Sequence, residues 1–179
     1  MWRVSLTIIT CLFLLFGTVV FSRTAQQSSQ SPVSEDTLIT LERVALFDCP
    51  VCTPKPNYQV TVRADGTVTF RGNKHTRVIG IAEGKISEDK VRELISAFEG
   101  MDYFKLNEAY EREKDGCPMF ITDRPYAYTS IQINGRKKTV THYYGCVADN
   151  DSHFVVFPQA LFELEKKIDE VVNTKQWIE

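Results

Sequence analysis

Leu46–Gly72 reads LFDCPVCTPKPNYQVTVRADGTVTFRG, a Cys-Pro-Val-Cys turn that feeds two runs of alternating residues. Tyr58, Val60 and Val62 alternate with Gln59, Thr61 and Arg63; after Ala64-Asp65-Gly66 the pattern resumes with Val68 and Phe70 against Thr67, Thr69 and Arg71. Period-two alternation across an Asp-Gly turn predicts an antiparallel hairpin with one face buried. The same stretch weighs against redox chemistry at Cys49 and Cys52. A reactive Cys-x-x-Cys lies at a helix N-terminus, whose dipole and free amides lower the thiol pKa. Here Pro54 and Pro56 follow, which favour extended backbone before them and cannot continue a helix.

Towards the N-terminus, Val4–Phe21 is almost wholly apolar behind Met1 and Arg3, the pattern of an export signal or a membrane anchor. As a helix it would span about 27 Å at 1.5 Å per residue, near the roughly 30 Å of a bilayer's hydrocarbon core. Val20-Phe21-Ser22 offers a cleavage site, so residues 1–22 are expected to be a signal peptide or an anchor. Cys11 falls inside the apolar run, with Leu12-Phe13-Leu14-Leu15-Phe16 after it, and reads as a lipid-compatible residue rather than an acylation site. Residues 23–37 are rich in Ser and Gln and lack apolar periodicity, as expected of a disordered linker that cannot offset the entropy of ordering. The remainder, 38–179, is sized for one domain.

Along that domain Leu38, Leu41, Val44 and Leu46 open a first strand, the hairpin follows, and Arg77–Ile86 is a further strand. Ser87 caps a helix with Glu88 and Asp89 in its first turn and Gly100 at its end; Val91, Leu94, Ile95 and Phe98 form its apolar stripe. Tyr103, Phe104, Leu106 and Tyr110 form an aromatic cluster that reads as core packing. Glu111–Pro125 is polar and irregular, a long loop of the kind that tends to carry binding residues. Ile131 and Ile133 lead through Asn134-Gly135 to Val140, a strong hairpin signal. Arg136, Lys137 and Lys138 beside that turn read as solvated edge charges that discourage aggregation, in preference to an anion site. Pro158 opens a second helix with Leu161, Leu164, Ile168 and Val171 on one face, and Trp177 and Ile178 are expected to fold back onto the core.

Resemblance enters on these motifs. CPV before a strand, DGTVTFRG, KISEDKVRELISAFEGMDYFKL, SIQINGRKKTVTHYYG and ALFELEKKIDEVVNTKQWI together resemble a family of short bacterial exported domains of unknown function. Its members read CFGxCPxY into the first hairpin and end in a similar acidic helix with a terminal Trp-Ile. The resemblance covers Leu38–Ile178 and implies the fold, while its motifs are punctuation rather than chemistry. Leu46 stands where the pattern has its first cysteine, Cys52 stands where it has Tyr, and TPKPN is inserted.

Cys49, Cys52, Cys117 and Cys146 remain after the N-terminal segment, an even number that favours disulfides in an exported chain and leaves three pairings open. The last hairpin returns the chain after Tyr144 towards the segment before Tyr126, which makes Cys117 with Cys146 natural. Closing that loop would contribute about 3 to 4 kcal/mol, against about 2 for Cys49 with Cys52. A four-cysteine zinc site is the rival reading, but the second pair lacks the knuckle spacing of the first. His75, His142 and His153 share no metal-ligand spacing, and His142 on a strand reads as a packing or hydrogen-bonding residue. No nucleophile elbow and no glycine-rich loop before a helix is present in the sequence.

The whole chain carries 21 Lys and Arg against 23 Asp and Glu, and both Arg3 and Arg23 fall ahead of the domain, which is therefore acidic. That balance argues against nucleic acid as a partner. The expected fold is α+β, an antiparallel sheet of about six strands with two helices packed on it. The expected function is a non-catalytic exported binding or structural module for an unknown protein or small molecule, without catalytic residues, cofactor or metal. It would meet the membrane only through its N-terminal segment. An enzyme of unrecognised type is the alternative, and a thiol–disulfide or zinc-binding protein the third.

Overall fold

The structure, a computed structural model, describes residues 32–45, 54–150 and 153–179. The apolar N-terminal run, Cys11, Cys49 and Cys52 lie outside the described residues. β1 (Leu38–Val44), β2 (Asn57–Arg63), β3 (Thr67–Lys74) and β4 (Gly80–Lys85) form a nearest-neighbour antiparallel meander. The Asp65-Gly66 turn places Gly66 at φ +81° with its carbonyl accepting from the Ile86 amide at 2.9 Å. A Cβ there would stand 2.1 Å from the Ile86 carbonyl oxygen, so no larger residue fits without moving the backbone.

α1 (Glu88–Gly100) begins where Ser87 accepts a hydrogen bond from the Lys90 amide. Beyond it come the two-residue strands β5 (Ala109–Tyr110) and β6 (Met119–Phe120), then the long hairpin β7 (Tyr126–Ile133) and β8 (Arg136–Tyr143). Asn134 at φ 52° and Gly135 at φ 70° give that hairpin the left-handed pair its Asn-Gly sequence predicts. β9 (Cys146–Asn150), β10 (His153–Val156), α2 (Gln159–Val172) and the single turn α3 (Lys175–Ile178) complete the chain.

The main sheet has seven strands in the order β4-β3-β2-β1-β7-β8-β5, and a second sheet has three in the order β10-β9-β6. This corrects the expectation of about six antiparallel strands. β5 joins β8 in parallel, and the small sheet draws β6 from the loop that reads as irregular and β9 and β10 from the stretch before Pro158, where no strand is expected. Two-residue strands are too short to show a period. β1 sits at the centre, paired with β2 on one edge and with β7, far along the chain, on the other.

One face of the main sheet is the core. Ile39 and Leu41, Tyr58, Val60 and Val62, Val68 and Phe70, Ala127 and Ile131, and Val140 are all buried. Against them lie Val91, Leu94 and Phe98 of α1 and Leu161, Leu164, Ile168 and Val172 of α2. Ile95 and Val171, expected in the helical stripes, are only partly buried. Trp177 stacks on Phe70 at 5.0 Å, and its backbone and that of Ile178 accept hydrogen bonds from Val78 and Arg77. Gly84 leaves room for the indole, since a Cβ there would lie 3.1 Å from it. Contacts begin ahead of β1: Asp36 accepts from the Asn134 and Gly135 amides, and Thr37 is buried. Among the described residues no helix is long and apolar enough to cross a membrane.

Candidate binding cleft and the polar core beneath it

Alternation along β1 puts Arg43 on the same face as Ile39 and Leu41, pointing a cation where the pattern asks for a hydrophobe. α2 answers with Glu165 and Asp169, one helical turn apart on its packed side. β8 contributes His142, buried in line with Val140, and β2 contributes Tyr58. These elements converge because each buries its apolar neighbours in the same core.

The resulting network is continuous. Arg43 reaches Asp169 Oδ2 through Nε at 2.8 Å and Nη2 at 2.7 Å, and its Nη1 donates to the Tyr144 hydroxyl. Tyr58 and Thr174 donate to Asp169 Oδ1 at 2.6 and 3.0 Å. Tyr144 donates to Glu165 Oε2 at 2.7 Å, and Thr129 to Oε1 at 3.2 Å. His142 Nδ1 lies 3.0 and 3.1 Å from the two Glu165 oxygens, and Nε2 lies 3.1 Å from the Phe157 carbonyl. Both His142 and Glu165 side chains are 0% exposed.

The hydrogen-bond partners fix where the protons sit. Nε2 faces a carbonyl, which can only accept, so Nε2 carries a hydrogen; Nδ1 faces a carboxyl, so a second proton lies between them. The His142–Glu165 pair is thus neutral as a whole, as is Arg43 with Asp169. A buried network balanced in this way leaves no charge uncompensated. Burial by itself would lower the Arg43 pKa, but Asp169, with smaller help from Tyr144, Tyr58 and Glu165, outweighs it and raises the value, keeping the guanidinium charged. Burial and then the neighbouring Glu165 raise the Tyr144 pKa, so its hydroxyl stays a donor.

Tyr144 also floors a cleft of about 440 Å³ at the end of the main sheet, within the range of small-molecule sites. Val44 of β1 and Tyr126 of β7 form one wall, Val147, Phe154 and Val156 of the small sheet another, and Phe162 of α2 a third. Phe162 packs edge-on to Tyr144 at 5.2 Å, and Phe154 is 66% exposed at the mouth. Among the described residues lining the cleft, Arg43, Lys55 and Arg124 are the charged ones.

Cys117 and Cys146 form a disulfide, with Cα atoms 5.5 Å apart. It ties the loop that carries Ile121 and Arg124 to β9, whose Val147 lines the cleft, so the bond holds two walls in register. The basic hairpin tip is engaged in packing: Arg136 lies over the Phe104 ring at 3.9 Å, and Lys138 donates to the Phe104 and Leu106 carbonyls. Tyr103 and Tyr110 are buried, with Tyr103 edge-on to Phe98 at 4.8 Å.

Sequence reasoning named His142 as a hydrogen-bonding residue but missed Glu165, Arg43, Asp169 and Tyr144. The available signal was charge at core positions of two amphipathic elements. A family described as Domain of unknown function (DUF6438) matches residues 49–172. The chain belongs to this family. The DUF6438 match takes in His142, Tyr144, Glu165, Asp169 and both cysteines of the disulfide, while Arg43 on β1 and Thr174 after α2 fall outside it. No curated protein matches the chain.

Proposed function

We propose that this DUF6438 domain is a non-catalytic binding module of an exported bacterial protein, which seats a small ligand in the cleft above Tyr144. The observation that carries the reading is the cleft itself: apolar walls from β1, β7, the small sheet and α2 converge on one polar floor group. That group is held in place by Arg43 and Glu165, so the seat is formed before any ligand arrives. The titratable pair behind it is sealed from solvent. Export is supported by the apolar run at residues 4–21 and by a disulfide, which persists in oxidising compartments. The same run, if uncleaved, would hold the domain at a membrane surface.

A ligand-observed NMR screen of small metabolites against the full chain tests this. Hits are expected to vanish in Ile121→Trp, which fills the cleft, and to be recovered unchanged after incubation. Hits indifferent to that substitution would place binding elsewhere and sink the reading.

An enzyme is the second reading, favoured by the Tyr144 phenol, which joins the cleft to the His142–Glu165 pair and could pass a proton to a bound compound. Chemical conversion of a hit, abolished by Tyr144→Phe, would replace the first reading with this one. The thiol–disulfide or zinc reading has less support. Cys117 and Cys146 are buried and bonded to each other, so neither offers a thiolate.

A further inference from the structure

The geometry points to an amphiphilic anion as the ligand: one acidic head on an aromatic or branched aliphatic body. This rests on the cleft being a binding site and adds the charge of its occupant. Lys55 and Arg124 line the cleft, and among the described residues neither side chain has an ion-pair, hydrogen-bond or ring partner. Arg43 is already committed to Asp169 and Tyr144, is 17% exposed and has its charge balanced by Asp169, so the head group is left to Lys55 and Arg124.

Among the described lining residues these cations meet no carboxylate, so an acidic head entering the cleft finds complementary charge there. The domain as a whole is acidic, so this cationic site is a local exception to its charge. An acidic head would sit between Lys55 and Arg124, accepting charge-assisted hydrogen bonds. The body would lie on Tyr126, Val147, Val156 and Phe162. An uncharged apolar ligand would gain nothing from the two exposed cations, and a small inorganic anion would leave the walls wet.

Two dyes with one body separate the charge from the cleft: anilinonaphthalene sulfonate and its uncharged parent, phenylnaphthylamine. Titrated against the full chain, the sulfonate is expected to bind about tenfold more tightly than the parent, a preference sized for two exposed pairs and shrinking with added salt. The Lys55→Gln, Arg124→Gln double variant is expected to erase the difference. Both signals should fall in Ile121→Trp or, if that chain does not melt cooperatively, in Val156→Phe. Equal affinities that still depend on the cleft would overturn the anion while keeping the binding site. A preference that survives the double variant would also overturn it. Dye binding that ignores the cleft-filling variants would remove the binding site and the anion together.

Discussion

Glu165 occupies a position that the periodicity of α2 assigns to the core, between Leu164 and Ile168, and it is fully buried there. Its cost is offset by His142, Tyr144 and Thr129, which together saturate the carboxyl. Glu165→Leu removes the acceptor and strands three polar groups, so it is expected to cost about 3 to 5 kcal/mol in denaturant titration. His142→Leu should cost a similar amount, and the double variant less than the sum, because each single change orphans the other partner. Additive losses would mean that the pair does not act as a unit. The phenols make a second expectation. Burial, with the carboxylates next, raises the pKa of Tyr58, Tyr103 and Tyr144 above the ordinary 10.0. Below pH 10 both folded and unfolded chains keep these protons; above it the unfolded chain releases them first, binds fewer, and is favoured. The melting temperature should therefore fall as pH rises past 10, and phenolate absorbance from the buried tyrosines should appear together with unfolding. Tyr144→Phe should soften that alkaline loss.

At the scale of elements, legibility followed length. β2 and β3, β7 and β8, α1 and α2 each run long enough to show a period, and each forms where its pattern predicts. β5 and β6 have two residues apiece and carry no pattern, and β9 with β10 gain their place from a second sheet that local sequence does not announce. The polar network was hidden for a related reason. Arg43 and Glu165 stand as charges at core positions of separate elements, and they join one network with His142 only when β1, β8 and α2 are brought together. α1 allows a direct check, since Phe98 is 1% exposed and sits against Tyr103. Phe98→Ala is expected to cost about 3 to 5 kcal/mol by chemical denaturation. A loss under about half a kcal/mol, typical of surface changes, would put that face in water.

For the whole molecule, the Cys117–Cys146 disulfide closes a loop with a sequence separation of 29. Chain entropy assigns such a closure about 3.5 kcal/mol. Cys117→Ser with Cys146→Ser should lower the melting temperature accordingly and weaken ligand retention, whereas Cys49→Ser with Cys52→Ser should do less. Equal effects of the two double variants would contradict this ranking. The central place of β1 has a kinetic consequence. β2, β3 and β4 are joined by connections of three and five residues and β1 lies twelve residues ahead of β2, so these strands can pair early, but the other edge of β1 waits for β7. Closing that long loop is the slow step that high contact order imposes. Pulse-labelled hydrogen exchange should find the β2 and β3 amides protected before those of β7, and simultaneous protection would refute the sequence of events. Until β7 arrives, the strand in the middle of the finished sheet is its open edge, free to recruit another chain. Aggregation during refolding should therefore rise with protein concentration and be relieved by substitutions that speed β7–β8 hairpin formation, with no change in native stability required.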